Sequence, residues 1–180
     1  MIRLFAAVLA SLLALPVCAA TLERLTLDEM IAGSTAIVRG QIEQSYAASH
    51  GQVIYTHYRV RVSERWKGPE LSQMDVVVPG GTSGGLRQTF SGAPTLTRGS
   101  EYILFLWQSR TGLTHVIGLS QGIFTLSKDI NGDLTAYRPA VSGPMVNSMG
   151  RPVSAEAIRM PLNSLSNRIR QSLNQGASKK

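Results

Sequence analysis

From Ile37 to Tyr137 the apolar residues alternate with polar ones or cluster in short runs closed by glycine and proline, and helical spacing is scarce. Period two places successive side chains on opposite faces of a strand, so this stretch must fold as strands. Tyr58, Val60 and Val62 face one way and Arg59, Arg61 and Ser63 the other, the signature of a half-buried strand within Val53–Trp66. Ala36–Gln44 alternates after Val38, Met74–Val78 is a short strand closed by Pro79-Gly80-Gly81, and Glu101–Trp107 is the most hydrophobic strand of all. Segments 113–119 and 122–126 extend the sheet. Asn131-Gly132 supplies a hairpin turn whose return strand is Leu134–Tyr137. Residues 80–100 are rich in Gly, Ser, Thr and Pro and read as a long functional loop with room for a short strand at 86–90.

Helices are expected only at the ends. Thr26 and Glu29 form a capping box at the start of a short helix, Leu27–Gly33. Leu162, Leu165, Ile169 and Leu173 recur at helical spacing, so a second helix spans about 162–173. Pro139–Pro152 reads as irregular.

The first twenty residues stand apart. Arg3 precedes an apolar run from Leu4 to Leu15, Pro16 breaks it, and small residues follow, as in a cleavable export signal cut after Ala19 or Ala20. The run is shorter than the roughly 20 residues that span a bilayer. A retained anchor and a lipoprotein signal at Cys18 are the alternatives, the latter disfavoured by Val17. Cys18 is the sole cysteine, so a processed chain holds no disulfide and no thiol chemistry. The expected organisation is a signal at 1–20, one β-barrel domain with flanking helices at 21–175, and a flexible basic tail at 176–180. The expected location is periplasmic or secreted, with no membrane span after cleavage. The net charge of +7 is scattered, with a mild cluster at Arg168, Arg170, Lys179 and Lys180. A nucleic-acid reader would gather it into a stripe with aromatics, so no nucleic-acid partner is expected.

Many short strands with a helix at each end suggest a small barrel. The segments TAIVRGQIEQS, IYTHYRVRVSERWKGPE and MDVVVPGG resemble the opening of netrin-like domains, the superfamily of the tissue inhibitors of metalloproteinases. GSEYILFLWQSRTGLTHVIGLSQGIF is similar to their fourth and fifth strands. This resemblance covers about half of the chain. Most of the chain also resembles uncharacterised exported bacterial proteins with a PGG…GG…SGAP middle and a GLSQG step, here Pro79–Gly81, Gly84-Gly85, Ser91–Pro94 and Gly118–Gly122. The resemblance implies a mainly β, OB-type (netrin-like) β-barrel. It does not carry over the inhibitors' zinc chelation, which needs an N-terminal cysteine held by a disulfide.

Gly81-Thr82-Ser83-Gly84-Gly85 fits G-x-S-x-G, the nucleophile elbow of α/β hydrolases, but the following Leu86–Gly92 lacks a helical pattern. His57 and Asp75 precede Ser83 in the order of chymotrypsin-like proteases, whose two-barrel fold is too large for this chain. Glycines that permit a tight loop explain the same letters. His50, His57 and His115 show no ligand-like spacing, and Asp129, Asn131 and Asp133 lack the glutamate that closes a calcium loop, so neither metal nor cofactor is expected. Trp66, Trp107, Tyr55, Tyr58 and Tyr102 could form a carbohydrate or peptide platform, though core packing suits strand aromatics better. The expectation is a non-catalytic exported protein that recognises a protein partner, an exported protease being the specific case. Its recognition surface would be the loop 47–52 with the glycine-rich stretch 80–94: Ser49, His50, Gly80, Gly81, Thr82, Ser83, Gly84 and Gly85. A small serine hydrolase using Ser83 is the alternative from another class. A structural envelope protein held by charge is a third.

Overall fold

A computed structural model describes residues 21–177. The expected export signal and the last residues of the basic tail lie outside them. The strands, in chain order, are β1 (Leu22–Glu23), β2 (Ala36–His50), β3 (Val53–Lys67), β4 (Gln73–Pro79), β5 (Gly81–Ser83), β6 (Leu86–Gln88), β7 (Glu101–Gln108), β8 (Thr114–Val116), β9 (Ile123–Lys128), β10 (Leu134–Arg138), β11 (Met145–Val146), β12 (Pro152–Val153) and β13 (Ile158–Pro161). Helices occupy Leu27–Gly33 and Leu162–Ala177, with a short 3-10 turn at Leu119–Gly122. The fold is mainly β with a short N-terminal and a longer C-terminal helix, as the alternation and end signals predict.

One eight-stranded sheet runs β13-β10-β9-β7-β2-β3-β4-β8, and β8 also pairs with β7. The strands β7, β2, β3, β4 and β8 therefore bend round towards closure. The seam is thin: β8 is three residues long and meets β4 in parallel at a single partner pair, Val77 with His115. The result is a partial ring rather than the clear barrel expected from the sequence. Register shifts at Ile37/Val38, Arg39/Gly40 and Ile42/Gln44 put bulges into β2. Such bulges sharpen the local bend of a strand.

Two cores share β7. Tyr102, Leu104 and Leu106 point into the ring with Val38, Ile42, Tyr58, Val60, Val76 and Val78. Ile103 and Phe105 point outward, where Met30 and Ile31 of the N-terminal helix and Leu165 and Ile169 of the C-terminal helix cover them with Phe124. A strand buried on both faces must be apolar throughout, which explains the unbroken run in Glu101–Trp107. The N-terminal helix starts at the predicted box: Glu29 N–H donates to Thr26 Oγ1 at 3.2 Å and Thr26 N–H to Glu29 Oε2 at 2.7 Å. At its other end Lys67 Nζ donates to the carbonyls of Ile31 and Ala32. A cation there complements the negative end of the helix. Trp66 Nε1 donates to Ser166 Oγ at 2.7 Å, fastening the C-terminal helix to β3. That helix runs to Ala177, beyond the predicted Leu173. The 129–133 segment is the expected turn, with Asp129 Oδ1 accepting from the N–H groups of Asn131 and Asp133.

Candidate functional site

The expected loop at 47–52 is strand nearly to its tip. β2 and β3 continue as a hairpin arm to His50 and Val53, joined by the two-residue turn Gly51-Gln52. Gly51 has φ +62°, which suits the first central position of a two-residue hairpin turn. Ser49 stands opposite Ile54 and His50 opposite Val53.

The glycine-rich stretch is a second hairpin. Gly81–Ser83 pairs antiparallel with Leu86–Gln88 across Gly84-Gly85, whose φ values of +57° and +77° are those a tight primed turn demands. It lies flat against the arm. Gly80 N–H donates to Ile54 O at 2.8 Å and Thr56 Oγ1 donates to Gly80 O at 2.8 Å. Gln88 locks the tip: its Oε1 accepts from Ile54 N–H at 2.7 Å and its Nε2 donates to Gln52 O at 2.8 Å. At Gly81 a Cβ would stand 3.0 Å from Ala47 Cβ. The two segments nominated from sequence are thus neighbours. Leu86 projects from the second hairpin and is 70% exposed.

Ser83 sits on β5 and is followed by a turn and a strand, where a hydrolase elbow requires a helix. His57 Nδ1 donates to Asp75 Oδ2 at 2.7 Å while its ring stacks on Tyr46 at 4.7 Å. No hydrogen bond among the described residues joins Ser83 to a histidine. No cluster of three His, Cys, Asp or Glu side chains suited to a metal ion occurs among those residues either.

Where β3, β4, β7 and β8 meet, a cleft of about 630 Å³ opens, walled by Tyr55, Val77, Pro79, Trp107, His115 and Leu119. His115 stacks on Trp107 at 4.8 Å and meets the edge of Tyr55 at 5.7 Å. Burial pushes the His115 imidazole below its ordinary pKa, which favours the neutral ring. Trp107 remains 39% exposed. Gln121, fully buried, pins the N-terminal segment along the rim: Oε1 accepts from Leu25 N–H and Nε2 donates to Glu23 O, both at 2.8 Å. Leu119 holds a φ of +57°, a strained region for a residue with a branched side chain. Strain of this kind gathers at functional sites.

The five strand aromatics therefore divide. Tyr58 and Tyr102 are core residues whose hydroxyls accept from the N–H groups of Leu96 and Thr97, and Trp66 packs towards the C-terminal helix. Tyr55 and Trp107 form the cleft. His115, Leu119 and Gln121 were not legible as site residues. The GLSQG step was the one local signal, because two glycines around a buried amide mark a tight structural corner.

Several basic residues have acidic partners: Arg39 with Glu101 at 2.8 Å, Arg61 with Glu43 at 3.2 Å and Arg168 with Asp28 at 2.7 Å. No helix among the described residues is long and apolar enough to cross a membrane. Comparison with known protein families gives no match, and comparison with curated proteins gives none either.

Proposed function

We propose that this is a non-catalytic, exported binding protein that recognises a polypeptide partner, with an apolar side chain of that partner seated in the Trp107–His115 cleft. The supporting observation is the cleft itself: a mainly apolar recess walled by Tyr55, Trp107 and His115. Recesses of several hundred Å³ with few polar groups are the usual shape of recognition sites. The chain runs from Pro79 of the wall into the Gly80–Gln88 hairpin, where exposed Leu86, with Phe90 just beyond, adds apolar surface that a protein partner would cover. Kinship with netrin-like domains belongs to the same proposal and accords with the five-stranded partial ring.

The test is retention from an extract of the source cell's envelope on the immobilised protein, with Trp107→Ala and Leu86→Asp run in parallel. A specific protein should be retained by the parent chain and bound roughly tenfold or more weakly by each variant, as expected for central aromatic and apolar anchors. If that protein is a protease, adding the parent chain should slow its cleavage of a peptide substrate. A partner that binds all three proteins equally would overturn the assignment of the cleft. Failure to retain anything specifically would overturn the binding role.

A further inference from the structure

The outer edge of the arm is unpaired. β7 accompanies β2 only from Ala36 to Gln41, and the last bonds on that side join Ile42 to Ser100 and Gly99. The bulge at Ile42/Gln44 then turns β2 away. From Gln44 to His50 no hydrogen bond from the described residues reaches that side of the strand.

Which groups stand free follows from the ladder. Ile54, opposite Ser49, sends its N–H to Gln88 and receives Gly80 N–H on its carbonyl, so this residue pair does not bond to itself. Antiparallel pairs alternate between bonded and non-bonded. Ser49, and with it Ala47 and Ser45, therefore direct N–H and C=O outward. Natural sheets protect such edges with lysine, proline or inward charge. The segment Gln44-Ser45-Tyr46-Ala47-Ala48-Ser49-His50 contains no proline and no Lys, Arg, Asp or Glu.

We infer that this edge pairs with the same edge of a second copy, β2 against β2 about a two-fold axis through Ala47. The register is self-complementary. Ser45 meets Ser49 of the other copy, Ala47 meets its own equivalent, and about six backbone hydrogen bonds form from these alternating positions. On the other face Tyr46 lies opposite Ala48, so the large ring meets a small neighbour in both halves. Two copies of a chain with net charge +7 repel in general. Uncharged residues throughout this segment let them meet here without opposed like charges. Closed two-fold pairing of one patch with itself is also the commonest way identical chains associate. The Gly80–Gln88 hairpin packs on Ala47 as well as bonding to β3, but the cleft is built from β3, β4, β7 and β8, so dimer formation along β2 and seating of a partner in the cleft are separable.

The experiment is sedimentation over a wide concentration range, combined with amide hydrogen exchange. A reversible dimer should appear, and protection of the Ser45, Ala47 and Ser49 amides should rise with concentration. The Gln44, Tyr46 and Ala48 amides, already bonded to β3, should be protected throughout. Ala47→Pro removes an outward N–H and should leave a folded monomer. The Ser45→Lys, Ser49→Lys pair, both at exposed positions, should do the same by setting like charges opposite each other. A protein that stays monomeric at every concentration overturns the inference. So does a dimer that survives both variants, or alternate-residue protection that appears only when a different extended polypeptide is added.

Discussion

At the scale of single residues, His115 couples the cleft to pH. Burial lowers its pKa in the folded chain below the ordinary value near about 6.5, so as the pH falls the unfolded chain takes up this proton first. Its contribution is neutral above that value and becomes destabilising below it. The fall in melting temperature between about pH 8 and about pH 5 should therefore be smaller in His115→Asn than in the parent protein. Equal falls would remove His115 as a source of the dependence. Phe124 illustrates the opposite kind of residue. It is fully buried and packs on Phe105 at 5.5 Å between the sheet and both helices. Phe124→Ala should lower stability by about 3–5 kcal/mol, read from denaturant unfolding. Thr26 and Glu29 were fully legible beforehand because a capping box is local. His115 was not, because its meaning depends on Tyr55 and Trp107, which only the curled sheet brings to it.

At the scale of elements, the two hairpins form one construction, and Gln88 joins them. Replacing Gln88 with alanine leaves Ile54 N–H and Gln52 C=O without their side-chain partner. The expected result is faster amide exchange at Ile54 with a loss of global stability of about 1–2 kcal/mol. Unchanged exchange there would mean that Gly80 alone holds the tip. β3 was readable from sequence because alternation marks its one buried face, and β7 because burial on both faces leaves an unbroken apolar run. The distal half of β2 was not. Ala47, Ala48 and Ser49 have weak strand preference, and what extends the strand is pairing with Thr56, Tyr55 and Ile54 across a two-residue turn. β11, β12 and β13 escaped notice for a related reason: each is four residues or fewer, too short to display a period.

At the scale of the molecule, the two cores cannot be separated. Leu165 and Ile169 are fully buried against the outer face of the sheet, and their burial alone is worth about 3–6 kcal/mol. That is a large share of the roughly 5–15 kcal/mol by which a domain is stable. A chain ending at Ala157, without β13 and the C-terminal helix, should fail to unfold cooperatively and should bind hydrophobic dyes. A trimmed chain with a sharp thermal transition would show the ring to be self-sufficient. Net architecture was legible at this scale, since period two and end helices leave few alternatives. Thin closure at Val77 and His115 was not, because a single partner pair leaves no trace in the sequence.

The position of β7 between both compartments also governs how the protein can diverge. Ile103, Leu104, Phe105 and Leu106 answer alternately to opposite sides, so an altered side chain on one is constrained by neighbours fitted to the other. Descendants of this chain should inherit that stretch nearly intact, while exposed positions such as Leu86 and Ile130 are free to change. Novelty would then accumulate at the surface, and heredity would be strictest where nothing outside the molecule ever reaches.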